Sequence, residues 1–290
     1  MGTDGMGSMA VRVCGIGDEG ADSLVGQVRL HERLGLRGIE LRAVDGRRVH
    51  ELGAAELDRV AAAVGGAGLA VPVLDTPLGD WSTTIDHDLA DDVRVLRASA
   101  GAAARLGCTR LRIMSYPNDG RPEPDWRRAV VERIRALARI AEDLGVTLLH
   151  ENCVGWAGAS AERTLALLAE VGSPALRLLF DTGNGLAHGY PALPFLREVL
   201  PHVEHVHVKD GRRVGGNAVF GTPGSGAVRL AECVGLLLDA GYRGWFSLEP
   251  HVALIPHLDV ADDPERRARA YADCVHAFRT LVGAVPAVTG

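Results

Sequence analysis

Val-Thr-Leu-Leu-His-Glu at 146–151 is a short apolar run that ends on a carboxylate, and three later runs repeat its form: Leu-Arg-Leu-Leu-Phe-Asp at 176–181, Val-Glu-His-Val-His at 203–207 and Trp-Phe-Ser-Leu-Glu at 245–249. Each is strand-sized and ends in a residue type that ligates metals, namely Glu151, Asp181, His207 and Glu249. Residues remote in sequence but equally placed on their strands converge if parallel strands close into a barrel, at its C-terminal mouth.

Working outward, such runs alternate with helix-sized amphipathic segments along the whole chain. Strands are expected at 11–16, 38–42, 69–75, 110–116, 146–151, 176–181, 203–209 and 245–249. Helices are expected at 22–35, 54–67, 87–106, 127–144, 161–171, 192–200, 228–240 and 263–282. Gly35, Gly68, Gly107, Gly145 and Gly241 stand where helices must end in a left-handed turn before the next strand. Eight such units predict an α/β fold, a (β/α)8 TIM barrel in a single domain over residues 10–290, with residues 1–9 read as a flexible leader or cloning scar. A doubly wound open sheet shares the alternation, but it does not explain four metal-type residues on four successive strands.

Composition narrows the function classes. A chain of 290 residues, 47% of them apolar, can bury a large core. A net charge of −6 with scattered cations argues against nucleic acid as a partner. No apolar run approaches the roughly 20 residues of a membrane span, and no secretory signal opens the chain. The five cysteines, at 14, 108, 153, 233 and 274, show no ligand-like spacing, which suits reduced thiols and a cytoplasmic location.

Three carboxylates and one imidazole form an oxygen-rich set that favours one divalent cation, Mn²⁺ first and Mg²⁺, Co²⁺ or Zn²⁺ as alternatives, with positions open to substrate. Single acids at strand ends commonly cap helices or pair with arginine; four at equivalent places point to a shared site.

The stretches Gly-Ile-Glu-Leu-Arg (38–42), His-Glu-Asn (150–152), Phe-Asp-Thr-Gly-Asn (180–184), His-Val-Lys-Asp (207–210), Gly-Ser-Gly (224–226) and Ser-Leu-Glu-Pro-His (247–251) resemble the sugar phosphate isomerase/epimerase superfamily, the xylose isomerase-like TIM barrels. The resemblance covers nearly the whole chain. It implies that Glu151, Asp181, His207 and Glu249 bind one divalent metal, and that Glu151 and Glu249 form the acid/base pair of an isomerase or epimerase acting on a sugar or sugar-derived keto compound. Such chemistry removes a proton beside a carbonyl and stabilises the resulting enediolate on the metal. Two departures stand out: Asn184 occupies the place where ketose epimerases commonly have His, and the loop at 152–157 lacks their second Glu. His150 then becomes a candidate base for elimination, as in the deglycosidase subunits that share His-Glu at this position. The alternative function is therefore a lyase, a keto-cyclitol dehydratase or a 3-keto C-glycoside deglycosidase. An abasic-site nuclease needs further histidines, and Asn184 occupies one of those places. A metal-free barrel serving as a partner subunit is the non-enzymatic alternative.

Candidate substrate contacts are Asn184, Lys209, Arg213, Trp156, His251 and Arg112. Arg213 sits in a Gly-rich loop that reads as a mobile cationic lid, and Trp156 with Trp81 offers an apolar wall. Glu40, Arg42 and Arg112 point into the barrel, where charges must be paired, so a salt-bridge layer beneath the site is expected. Gly224-Ser225-Gly226 reads as a tight loop that lets backbone approach the site. Tyr271, Val275 and Phe278 on the last helix serve core packing or association. The expected partners are a small carbohydrate-like substrate and further copies of the chain, or a small second subunit.

Overall fold

In the computed structural model, residues 11–252, 254–255, 260–261 and 263–285 are described, so the expected leader at 1–9 lies outside the described residues. The strands among the described residues are β1 (Arg12–Gly15), β2 (Ala43–Val44), β3 (Arg47–Arg48), β4 (Leu74–Asp75), β5 (Arg110–Ser115), β6 (Thr147–Gly155), β7 (Leu176–Asp181), β8 (Val203–Val208), β9 (Asp210–Val214), β10 (Asn217–Gly221), β11 (Trp245–Leu248), β12 (Leu254–Ile255) and β13 (Val260–Ala261). Seven of them form one parallel sheet in the order β1-β11-β8-β7-β6-β5-β4. The stretch 38–41 joins its two edges through the isolated bridges Ile16↔Glu40, Gly38↔Ala70 and Leu41↔Leu74, and the sheet closes into a barrel.

The second strand expected at 38–42 is thus reduced to isolated bridges at Gly38, Glu40 and Leu41, and the one expected at 69–75 to its last two residues and a bridge at Ala70. Pro72 explains part of this: it has no N–H to donate to a ladder. Beyond Arg42 the chain leaves the barrel wall for the β2–β3 hairpin, turning on Asp45 (φ 52°) and Gly46 (φ 76°).

The helices are α1 (Gly17–Gly20), α2 (Leu24–Arg33), α3 (Ala54–Gly66), α4 (Leu89–Arg105), α5 (Glu123–Leu144), α6 (Ala161–Val171), α7 (Gly185–His188), α8 (Ala192–Val199), α9 (Leu230–Asp239) and α10 (Pro264–Ala284). Side-chain caps start several of them: Ser23, Asp88, Ser160 and Asp263 each accept a backbone N–H in the first turn. α5 starts four residues before the expected 127, because Pro122 and Pro124 preset the entry turn. The five glycines named above all adopt φ between 60° and 81°, as a left-handed cap requires.

One core packs α3 to α6 on β5 and β6, a second packs α8 to α10 on β7, β8 and β11, and Val73, Leu149 and Leu179 fill the barrel interior. Each buried Leu, Val or Ile contributes about 1.5–3 kcal/mol. Tyr271, Val275 and Phe278 belong to the second core with at most 1% exposure, so they supply no association surface. A Cβ on Gly15 would stand 1.9 Å from the Tyr271 hydroxyl, so the last helix docks against a strand that has no side chain there. No helix among the described residues is long and apolar enough to cross a membrane.

The Gly-rich stretch after β8, expected as a loop, takes regular structure. It is an antiparallel hairpin, β9 against β10, turned by Gly215 (φ 56°) and Gly216 (φ 88°), and two successive positive φ values are what a two-residue hairpin turn needs.

Candidate metal centre

β7 and β8 deliver Asp181 and His207 at their C-terminal ends, Glu151 lies midway along β6 where its ladder with β7 ends, and Glu249 follows β11 directly. Asp181 lies opposite His207 in the ladder. One ligand atom from each of the four comes within 4.8 Å of the others, and none of the four residues is more than 7% exposed.

Each carboxylate is anchored by one oxygen. Asp181 Oδ1 accepts the backbone N–H groups of Gly183 (2.7 Å) and Asn184 (2.5 Å). Glu249 Oε1 accepts Arg42 Nη1–H at 3.1 Å, and Glu151 Oε1 accepts the Asn184 amide at 2.9 Å. Asp181 Oδ2, Glu249 Oε2 and His207 Nδ1 are buried and make no hydrogen bond. His207 Nδ1 is 3.1 Å from Glu249 Oε2 and 3.7 Å from Glu151 Oε1. Buried ligand atoms that converge on one space, two of them balanced by the Lys209 ammonium, suit a divalent cation, and the hard, mostly oxygen donor set fits Mn²⁺ or Mg²⁺ better than a structural zinc.

The electrostatics are divided among the acids. Burial pushes Asp181 up to about 6 against the pull of Lys209. Burial also raises Glu249, but Lys209, His251 and His207 outweigh it and hold the group well below the usual carboxylate range. Glu151 is likewise lowered, because the His207 contact and Arg112 overcome its burial. Ligands must be deprotonated to bind, so Mn²⁺ affinity is expected to rise as pH is raised through about 6, where Asp181 sheds its proton, and to go on rising beyond it, because burial of the His207 imidazole is outweighed by Glu40, Glu151 and Glu249, which hold it well above its usual range. Each proton displaced adds about tenfold per pH unit. Isothermal titration at pH 5, 6 and 7 measures this, and a flat profile would contradict it.

Lys209 Nζ lies 3.3 Å from Asp181 Oδ2, 3.0 Å from Glu249 Oε2 and 3.1 Å from Asn184 Oδ1. It pairs with these groups and not with Asp210, whose carboxylate accepts the amides of Gly224 and Gly226 and so ties down the Gly-Ser-Gly loop. Beneath lies the expected charge layer. Arg112 Nε is 3.3 Å from Asp75 and 3.7 Å from Glu151, while Arg42 joins Asp18, Glu19 and Glu249. Glu40 accepts from His205 and His207, each at 2.9 Å. Arg112 therefore sits under the cluster as a partner of Glu151.

His251, two residues past Glu249, is at φ 50°, a left-handed conformation that costs on the order of 1–3 kcal/mol in a residue with a side chain. Its N–H donates to Glu19 Oε2, and its ring meets Phe220 edge-on at 5.5 Å. Phe220, on β10, also faces Lys209 Nζ at 5.7 Å, so the hairpin brings an aromatic wall to the site.

Three expected contacts are placed elsewhere. Trp156 is 2% exposed, packs in the first core and donates its indole N–H to Glu123. Arg213 is exposed and donates to the carbonyls of Leu186 and Gly216, which pins the hairpin to α7. His150 is fully buried. Leu149 and Glu151 face the barrel interior, so His150 shares the helix-facing side of β6 with Leu148, and neither ring nitrogen has a hydrogen-bond partner. The structure does not bring it to the metal-type residues.

Glu19, Asp75, His205 and Phe220 were not singled out by sequence reasoning. Asp75 closes an expected strand, and His205 has the same facing as His207, so both carried a signal; Glu19, in the one-turn helix α1, and Phe220, on β10, had none. A cavity of about 660 Å³ opens at the opposite end, lined by Arg12, Arg110, Glu204 and Trp245 where strands begin. Barrel chemistry sits at the other mouth, so convergence of donors, not cavity size, locates the site.

A parallel barrel with a three-carboxylate, one-imidazole cluster at its C-terminal mouth defines the class as a metal-type α/β barrel. A family model described as xylose isomerase-like TIM barrel matches residues 28–276, and the chain belongs to that family. Among curated relatives it is similar to inosose dehydratase 1 of Bacillus cereus, 28% identical over 143 residues, which are 44% of this chain and 47% of that protein. The chain thus spans about half the length of the curated relatives it matches. Among solved structures, L-ribulose 3-epimerase superposes with a TM-score of 0.74 at 17% identity, covering 95% of this chain and 96% of that one. A xylose isomerase-like TIM barrel protein from Mycobacterium smegmatis in complex with magnesium gives 0.70 at 17% identity, covering 96% and 98%.

Proposed function

We propose that this protein is a divalent-metal-dependent isomerase or epimerase that moves a proton beside the carbonyl of a sugar or sugar-derived keto compound. One observation carries the reading. In the sheet order β11-β8-β7-β6, Glu249 and Glu151 flank His207 and Asp181, so two carboxylates face one space from opposite ends of an arc. A cation bound there supplies Lewis acidity to a carbonyl and the hydroxyl beside it. Both glutamates are held below the usual carboxylate range, so each is in its basic form at neutral pH. One can take the proton from carbon on one face while the other, protonated from solvent, delivers that proton to the opposite face, and the first then releases its own to solvent. Lys209 and Asn184 present a cation and an amide to substrate hydroxyls beside them, and Phe220 excludes water from the flank.

A second reading, a lyase, draws on the inosose dehydratase relatives and on Lys209. In that case the carboxylate takes the proton next to the carbonyl, the β C–O bond breaks, and the Lys209 ammonium protonates the departing hydroxide as water. Incubation of Mn²⁺-loaded protein in D₂O with ketopentoses, ketohexoses and a keto-cyclitol separates the two. Gain of one deuterium with the carbon skeleton and oxygens intact is the result expected of an isomerase or epimerase; loss of one water would replace it with the lyase. Neither outcome on any member of the panel would count against both.

A further inference from the structure

We propose that Glu40 is a positioning residue that fixes which nitrogen of His207 faces the metal, and that His205 holds Glu40 in that role; this rests on the metal reading above. Glu40 belongs to the stretch that closes the barrel, bridging Ile16, and is wholly buried. Its Oε1 lies 2.9 Å from His207 Nε2 and its Oε2 lies 2.9 Å from His205 Nε2. His205 and His207 share one face of β8, with ring centroids 5.6 Å apart and planes at 81°, so the two imidazoles clasp one carboxylate from adjacent inward positions.

An ionised carboxylate only accepts hydrogen bonds, so each Nε2 must carry its hydrogen toward Glu40. A neutral imidazole that donates through Nε2 has its lone pair on Nδ1. That is the His207 atom which makes no hydrogen bond and lies 3.1 Å from Glu249 Oε2. Glu40 thereby turns the ring, chooses the tautomer and adds negative charge behind the ligand, the part that outer carboxylates play at histidine-ligated metals. His205 also lines the cavity at the far end of the barrel, and it meets the cluster through Glu40 and edge-on against the His207 ring.

Mn²⁺ titration of wild type, Glu40→Gln, Glu40→Asp and His205→Gln tests this. Glu40→Gln is expected to weaken Mn²⁺ binding on the order of 10–100-fold. Glu40→Asp, which keeps the charge, should recover part of the loss, and His205→Gln should lose less than Glu40→Gln. A residue that only supports the fold would lower the melting temperature of the metal-free variant and leave Mn²⁺ affinity within about twofold, and that result would overturn the inference. Nitrogen NMR of the wild-type histidines with Mg²⁺ bound needs no variant: hydrogen on Nε2 of His207 is expected, and hydrogen on Nδ1 would refute the assignment. If the wild-type protein bound no divalent ion, the metal reading itself would fall; if it bound Mn²⁺ and Glu40→Gln bound it equally well, only this inference would.

Discussion

Glu151→Gln is expected to cut turnover on the order of a thousandfold, the range in which a general acid or base contributes and about 4 kcal/mol of transition-state stabilisation. The amide keeps the size of the side chain, and its one oxygen can still accept from Asn184, which holds the carboxylate at 2.9 Å, while the 3.7 Å ion pair with Arg112 is lost. It cannot accept a proton at neutral pH. Loss of one of three carboxylates also weakens the ion, so Mn²⁺ affinity is measured alongside kcat, with assays run at saturating metal. Glu249→Gln should give a loss of the same order, with a larger structural component, because Glu249 balances Arg42 and Lys209 together. Deuterium wash-in then separates the pair: if each glutamate serves one face, each variant fails to exchange in one substrate epimer more severely than in the other. Full turnover by Glu151→Gln at saturating Mn²⁺ would remove that residue from the acid/base pair.

His150→Phe should change the acid stability of the fold and leave turnover intact. Burial pushes the His150 imidazole down to about 4 from 6.5. Above 6.5 neither the folded nor the unfolded chain protonates this side chain, and its contribution to stability is fully present. As pH falls through 6.5 toward 4 the unfolded chain takes up a proton that the folded chain refuses, and stability is lost. The gap between the two values corresponds to about 3 kcal/mol by pH 4. Phenylalanine removes that linkage, so the variant should lose less stability than wild type between pH 8 and pH 4.5 in urea unfolding. At pH 8 it should be no less stable, since the imidazole it replaces makes no hydrogen bond. Parallel stability curves for the two proteins would show that the ring is hydrated or paired in solution. Loss of turnover in a stable variant would restore His150 to the chemistry.

The barrel was legible because its signals are short-range. Apolar runs of strand length, amphipathic segments and glycines at helix ends each act over a few residues, and all five helix-ending glycines take the left-handed conformation they imply. The convergence of Glu151, Asp181, His207 and Glu249 followed from the same logic, since parallel strands in one barrel present their ends on one side.

Less legible was everything that depends on which charges meet after closure. Arg42 and Glu249 are 207 positions apart and make a 3.1 Å contact only because residues 38–42 complete the ring beside β1 and β11. Trp156 follows the metal-bearing strand, yet it packs beneath α5 and α6 because its indole finds Glu123 there. The Gly-rich stretch after β8 reads as a loop, and the structure alone shows that it forms a hairpin whose Phe220 reaches Lys209 and His251.

By itself the sequence determined the strand and helix alternation, the capping, the family and the four residues at one mouth, because periodicity and backbone sterics are local. Tertiary structure alone decided that Lys209 bridges Asp181, Glu249 and Asn184, that Glu40 is clasped by two histidines, and that His150 is turned from the site. The physical reason is that a buried charge takes its role from the partners that closure of the barrel brings within about 3–4 Å, and no local pattern encodes them.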